Sequence, residues 1–406
     1  MKTILFVTYG GGHVNMLIPV IRSLIEKFGF NCLVMGLTTA AMQLSRHGIP
    51  SLGFASLLRG DDDKALSYGR RLYSSLSQGG AVDSEESIAY LGLSYADLEE
   101  RLGTEGAAAE YALKGRQAFL PLGPMRRAYE KYAPDLVVTT ISPRAEQAAI
   151  LVASEMKIPS VCLIDLFARP SLRRASSQGY GTRVCVISDS VKDWLVRAGR
   201  HPDEIVVTGN PVFDGLFAGG LQSEAVLLRK KNKWQEKKVI LWASQIEPER
   251  NPFSGRQGDP ALPWLVEARL KEIVKNKDDW HLVIRYHPNQ DPPDSRGDEK
   301  VTISQRDESL APLLQAVDLV VTLTSTVGLE ARLLKKPLIT VDMSVYSEDT
   351  PYAKLGFSVG VNDFLELEPT ISRLLDGCID QYSLSELPRA GNATDSVVQQ
   401  ILKLLN

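Results

Sequence analysis

The chain lacks most of what would tie it to a membrane, a metal ion or a nucleic acid. Its 406 residues contain no apolar run approaching the roughly 20 residues that a bilayer-spanning helix needs. Cysteine is scarce: Cys32, Cys162, Cys185 and Cys378 are scattered without metal-ligand spacing. Three of the four sit in apolar, strand-like surroundings, which predicts buried free thiols in a reducing cytoplasm. There is no excess of either charge, and a formal net charge of −3 argues against nucleic acid as the principal partner. The opening Met1-Lys2-Thr3 and the apolar Ile4–Val7 carry one basic residue and stop at glycines, so they read as a first β-strand and not as a signal peptide. No internal repeat of short fixed period is present.

What remains is the composition of a globular protein, with 44% hydrophobic and 23% charged residues. The length exceeds one ordinary core and predicts two domains of roughly 150–200 residues each. Ile4–Thr8 is a strand, and Tyr9-Gly10-Gly11-Gly12-His13 turns into a helix that ends near Phe28 and Gly29. Asn31–Met35 is the next strand, so the stretch forms a βαβ unit and implies a parallel sheet. Gly11 and Gly12 would let a ligand or a backbone approach closely. The loop is not a GxGxxG fingerprint, because Asn15 stands where the last glycine belongs. His13, at the mouth of the helix, is either a sugar or phosphate contact or a structural histidine.

From 60 to 134 the pattern is helical and amphipathic, with breaks at Gly79-Gly80, Gly103 and Pro121–Pro124. Ser94 and Asp97 have the spacing of a helix start. Arg70-Arg71 and Arg126-Arg127 either meet an anionic acceptor or membrane surface or sit on solvated helix faces. Strand character then returns at Asp135–Thr140, Ile158–Ile164, Val184–Ser188 and Ile205–Thr208. Ligands of open parallel sheets collect at the carboxyl ends of strands. Arg144 and Asp165 would lie on that edge with the glycine loop. Asp165, directly after an apolar strand, is either a general base or a capping, ion-paired carboxylate.

The second half repeats the alternation. Strands are expected at Val239–Ala243, followed by Ser244-Gln245, at 281–288, 301–304, 317–321 and 336–341, and further on Thr350–Leu355 and Val359–Val361 surround the stretch Pro351-Tyr352-Ala353-Lys354-Leu355-Gly356. Arg285-Tyr286-His287-Pro288 closes one of them, and alternation puts Arg285 and His287 on one face, suited to a phosphate. In Thr322-Leu323-Thr324-Ser325-Thr326-Val327-Gly328-Leu329-Glu330-Ala331, a buried strand passes through small hydroxyl residues into a helix. Free N–H groups and the hydroxyls of Ser325 and Thr326 form an anion cradle or, more simply, a helix cap. Glu330, one turn further, could accept hydrogen bonds from a ribose diol.

Gly10-Gly11-Gly12-His13, Val207-Thr208-Gly209-Asn210-Pro211, Arg285-Tyr286-His287-Pro288 and Ser325-Thr326-Val327-Gly328-Leu329-Glu330-Ala331, in this order, resemble the two-domain nucleotide-sugar glycosyltransferases of GT-B type. That superfamily includes the non-metal UDP-GlcNAc 2-epimerases. The resemblance covers nearly the whole chain and implies an α/β protein of two Rossmann-like domains with a cleft between them. It implies an acceptor-side domain over 1–212 with a helical insertion at about 60–134, and a linker over 213–236. A nucleotide-binding domain follows over 237–385, and 386–406 would be a helix crossing back to the first domain. By the same resemblance Gly11, Gly12, Ser244, Arg285, His287, Ser325, Thr326 and Glu330 hold the donor, Arg144 the acceptor, and Asp165 or His13 supplies the base. It implies no cofactor and no obligatory metal.

Where the epimerases carry His-Arg-Arg-Glu-Asn, this chain reads Ser244-Gln245-Ile246-Glu247-Pro248-Glu249. Their acidic pair in the first domain is not matched by Ile141-Ser142-Pro143-Arg144-Ala145-Glu146 either. The expectation is therefore a metal-independent, inverting glycosyltransferase acting on a surface polysaccharide or glycolipid from a UDP-linked or CMP-linked donor. A hydrolysing epimerase or nucleotide-sugar hydrolase is the alternative, and a non-catalytic nucleotide-sugar binder the third. A homodimer and peripheral contact with a membrane are left open.

Overall fold

The computed structural model describes residues 1–405 apart from 76–82, 166, 168, 252–253, 288, 291–297 and 378–389, and the side chains of 169–171 also lie outside the description. Cys378, Pro288 and the Gly79-Gly80 break fall in the undescribed stretches. The chain forms two units, Met1–Val212 with Asn392–Asn406, and Phe213–Gly391.

Unit 1 is built on β1 (Thr3–Thr8), β2 (Asn31–Gly36), β3 (Leu136–Thr140), β4 (Ser160–Leu163), β5 (Arg183–Val186) and β6 (Ile205–Val207). The strands lie in the order β2-β1-β3-β4-β5-β6, every neighbour parallel. Between them run α1 (Gly12–Phe28), α2 (Ala40–Arg46), α3 (Asp63–Ser74), α4 (Ser84–Lys114), α5 (Leu122–Tyr132), α6 (Ala145–Glu155), α7 (Arg169–Ala175) and α8 (Asp189–Arg197). The strands are apolar on both faces because both are covered, as parallel sheets require. Successive residues alternate between the two: Ile4 and Phe6 join a cluster with Leu17, Val20 and Ile21 of α1. Leu5 and Val7 join another with Ala148, Ala149 and Val152 of α6. Gly29, in the left-handed conformation at φ 67°, ends α1 by donating to Ile25 O.

The helical segment between β2 and β3 is held by close backbone approach. A Cβ on Gly69 of α3 would strike Ile88 O, and one on Gly92 of α4 would strike Ala65 O. The helix start expected at Ser94 is corrected. Ser94 is buried inside α4, whose cap is Asp83, accepting from Glu85 N at 2.8 Å and Glu86 N at 3.1 Å. Asp97 instead ties helices together, accepting from Gly123 N at 2.6 Å and Arg101 Nε at 3.0 Å. Two of the arginine candidates are likewise engaged, Arg126 with Glu155 and Arg127 with Asp62.

Unit 2 repeats the design with β7 (Lys238–Ala243), β8 (Trp280–Arg285), β9 (Val301–Ile303), β10 (Leu319–Thr322), β11 (Leu338–Val341) and β12 (Val359–Val361). Their order is β12-β11-β10-β7-β8-β9, again wholly parallel. Its helices are α9 (Leu221–Lys231), α10 (Leu262–Lys275), α11 (Leu310–Ala316), α12 (Thr326–Leu333) and α13 (Leu367–Leu375). The stretch 213–236, read from sequence as a linker, is part of this unit. Trp234 is buried, and Arg229 of α9 donates to Ala316 O, Trp234 O and Lys237 O and pairs with Asp318. The lysines that suggest a connector mark only the outer side of α9. The last helix, α14 (Ala393–Leu405), buries Val397, Val398 and Ile401 in the α1 cluster of unit 1.

Candidate active site

Because every strand in a unit runs the same way, the residues that follow the strands gather along one edge of each sheet. On unit 1, β1 delivers the glycine loop and β3 delivers Thr140 and the turn to α6. Gly10 is required sterically, since a Cβ there would meet Thr39 Oγ1, and Gly11 takes φ 71°. Gly12 has open space around it, and both Gly11 and Gly12 are exposed. His13 is partly exposed, and its Nδ1 lies 2.6 Å from Thr140 Oγ1. Thr140 Oγ1 in turn donates to Glu146 Oε2 at 2.5 Å. Glu146 is fully buried and also accepts from Tyr9 N at 2.8 Å and Ser142 N at 2.9 Å.

This arrangement suits one proton pattern in particular. When the hydroxyl proton of Thr140 is given to an ionised Glu146, Thr140 Oγ1 accepts from His13 in its Nδ1–H tautomer. In that tautomer Nδ1 of His13 carries the hydrogen and Nε2 presents a lone pair. Burial raises the Glu146 carboxyl above the ordinary carboxylate range and outweighs His13 and the three hydrogen bonds, which act the other way. A carboxylate that accepts three donors in an apolar shell is suited to steadying positive charge that develops on the imidazole.

Arg144 occupies φ 69°, ψ −114° at the start of α6, a conformation that costs a non-glycine residue on the order of 1–3 kcal/mol. Its guanidinium lies 5.0 Å from the centre of the Tyr9 ring, and its Nε is buried without a partner. Asp165 follows β4, partly buried, with Oδ1 unpartnered among the described residues. None of its described contacts joins it to His13.

On unit 2 the edge is assembled from β7, β8, β9 and β10. Arg285 ends β8 and donates to Ser304 Oγ and Glu308 O, each at 2.9 Å. It borders a cavity of about 560 Å³ shared with Ile303, Ser304, Gln305, Arg306 and Asp307. Arg285 and His287 flank the buried Tyr286. The strand stops at Arg285, Tyr286 turns inward to Glu267, and exposed His287 opens a turn in which Asn289 N donates to its Nδ1. Ser325 caps α12, accepting from Val327 N at 3.3 Å, and Thr326 is exposed. Glu330 is half-buried, and burial raises its carboxyl to about 7 although the Arg285 charge acts the other way. Ser244 donates its N–H to Arg285 O, leaving its buried Oγ without a partner among the described residues.

Several residues that shape these edges were not among the sequence candidates. Gln245 latches the loop after β7 to the one after β10, through Thr324 N at 2.9 Å and Thr324 Oγ1 at 3.0 Å. Glu247 is buried against Ser344 Oγ and Val345 N, each at 2.7 Å. In unit 1 the missed residues are Thr140 and Glu146. The available signal was a threonine ending an apolar strand, with a carboxylate in the first turn of the next helix. Among the described residues no group of three or more His, Cys, Asp or Glu side chains could hold a metal ion, and no helix is long and apolar enough to cross a membrane.

Two doubly wound parallel units make this a Rossmann-like α/β protein of the GT-B architecture, and solved structures of that kind match along the whole chain. The UDP-GlcNAc 2-epimerase from Methanocaldococcus jannaschii is 16% identical with a TM-score of 0.60, the match covering 99% of this chain and 100% of that one. The UDP-GlcNAc 2-epimerase from Neisseria meningitidis, solved bound to UDP-GlcNAc, is 16% identical over 99% and 100% of the two chains, with a TM-score of 0.59. The calicheamicin glycosyltransferase CalG4 is 15% identical over 100% and 95%, with a TM-score of 0.54. A family model described as capsule polysaccharide biosynthesis protein matches residues 270–349, the stretch that carries Arg285, Ser325 and Glu330. A search of curated protein sequences finds no significant match.

Proposed function

We propose that the protein transfers a sugar from a nucleotide-sugar donor to a hydroxyl of a glycan or glycolipid, without a metal ion. Unit 2 holds the donor: Arg285 and the start of α12 meet the phosphates, Glu330 the ribose, and the cavity beside Arg285 the base. Unit 1 supplies the base in the chemical sense. The observation that carries this reading is the His13–Thr140–Glu146 chain, which in the Nδ1–H tautomer of His13 turns the lone pair of Nε2 away from Thr140 to accept a proton. The acceptor O–H proton passes to Nε2, the acceptor oxygen bonds to the anomeric carbon, and the carbon–phosphate oxygen bond breaks. The leaving nucleotide keeps that electron pair, and its charge is met by Arg285 and the N–H groups of α12. Asp165 is the second candidate for the base, as the carboxylate after β4.

A second reading, hydrolysing epimerisation, is favoured by the UDP-GlcNAc 2-epimerases among the structural neighbours. Incubation with UDP-GlcNAc, UDP-glucose and a CMP-linked sugar, each with and without a mixture of oligosaccharide acceptors, separates the two. Nucleotide release that depends on acceptor, with a new glycoside formed, is expected. Free 2-epimerised sugar at the same rate without acceptor would replace transfer by epimerisation.

A further inference from the structure

Unit 1 contains a cavity apart from the His13 relay, between the loops after β1 and β2 and the first turns of α4. It offers about 90 Å³ to the centre of a water molecule, room for roughly six waters, about the volume of one pyranose ring. Tyr9, Leu37, Tyr90 and Leu91 form apolar walls, and Arg116 and Arg144 bring two positive charges to its lining. Neither arginine forms an ion pair or side-chain hydrogen bond with any described residue, and the Arg144 Nε is buried and unpartnered. The one carboxylate in the lining, Glu86, is occupied by Phe54 N at 2.7 Å and Ala55 N at 2.9 Å. Its charge is thus met by two amides, and the cations remain uncompensated.

We propose that this cavity seats an acceptor sugar bearing an anionic substituent, its apolar face on Tyr9 and Tyr90 and its carboxylate or phosphate on Arg144 and Arg116. The inference rests on the transferase reading and specifies its acceptor. A neutral sugar would leave the partly buried Arg144, whose Nε is buried and without a partner among the described residues, unpaired, whereas an anion satisfies it and is drawn by the exposed Arg116 at the rim. The positive φ of Arg144 supports the assignment, since glycine would hold that backbone without strain but could not supply the charge.

The test is titration of the full-length protein, by saturation-transfer NMR and calorimetry, with methyl β-glucuronide, glucose 6-phosphate and methyl β-glucoside. An anionic sugar is expected to bind at least tenfold more tightly than the glucoside, and whichever of the two wins identifies the anion as carboxylate or phosphate. Arg144→Ala and Arg144→Gly should each lose at least tenfold of that binding, with a smaller loss in Arg116→Ala. Arg144→Gly should melt no lower than wild type, because the left-handed backbone is relaxed, so its loss of binding cannot be a loss of fold. Equal affinity for the glucoside, or anionic-sugar binding untouched by both Arg144 variants, would overturn the proposal. Donor turnover is followed separately. Bound anionic sugar with no transfer to any acceptor removes the transferase reading and keeps the cavity, and transfer to neutral acceptors alone removes the cavity and keeps the reading.

Discussion

The two units share one frame and use its carboxyl edge in opposite ways. In unit 1 the centre of the edge is bound internally, a fully buried carboxylate organising Tyr9 N, Ser142 N and Thr140, and through Thr140 the ring of His13, while Arg144 Nε and Asp165 Oδ1 beside it have no partner among the described residues. In unit 2 the strand ends are pinned from beneath, by Gln245 and Glu247 reaching to neighbouring loops. Several groups there stay incompletely satisfied, namely the Ser244 hydroxyl, the half-buried Glu330 and the wall of a wide cavity. A relay that is already complete is suited to moving a proton, and an edge with open valences is suited to receiving a polar ligand.

The sharpest way to break this contrast is at His13. His13→Ala should lower kcat by roughly 10²–10⁴-fold, the usual yield of a general base, and leave UDP affinity unchanged. Asp165→Asn should cost less than about tenfold by the same criterion. If steady-state kinetics give the reverse order, the base belongs to β4 and the relay is structural. Next in size is the stability of the two edges. Glu146→Ala strands buried donors and should destabilise unit 1 by about 3 kcal/mol, whereas Ser325→Ala removes only a cap, about 1 kcal/mol, in denaturant titrations. Equal losses would erase the distinction between a bound edge and an open one.

The smallest effect is a pH dependence in unit 2. The folded-state carboxyl of Glu330 is raised to about 7, so its protonated form is favoured on folding. That contribution is complete below the ordinary carboxylate range and is lost as pH rises from there through about 7. Glu330→Gln should therefore match wild type at pH 5 and exceed it by about 1–2 kcal/mol at pH 8. A ribose hydroxyl donating to Glu330 favours the ionised form, so UDP binding near pH 7 should also release a proton, detectable by calorimetry in buffers of different ionisation enthalpy. Stability curves that run parallel for the two proteins would place Glu330 in an ordinary solvated setting.

Much of the frame was legible in one dimension, because parallel strands buried on both faces write themselves as short apolar runs between helical periods. Of the strands among the described residues, β1 to β11 fall where such runs were read, while the short Val359–Val361 was not read as a strand, and the carboxyl-edge placement of His13, Arg144, Asp165, Arg285 and Ser325 follows from the alternation. The errors came where a local signal was outweighed by packing. Ser94 and Asp97 have the spacing of a cap, yet burial against α3 and α5 carries the helix through them. The lysines of α9 suggest a connector, yet Arg229 and Trp234 fix that segment to unit 2.

Residue order alone determined the class of fold, most of the strands and which residues reach the strand ends, since these depend on periods of two and 3.6 that can be read along the chain. The partnership of His13 with Glu146 through Thr140, the burial that lifts Glu330, and the two uncompensated arginines of the unit 1 cavity were decided only in three dimensions. Each depends on distances between groups far apart in sequence and on how completely water is excluded around them. No local pattern encodes either quantity.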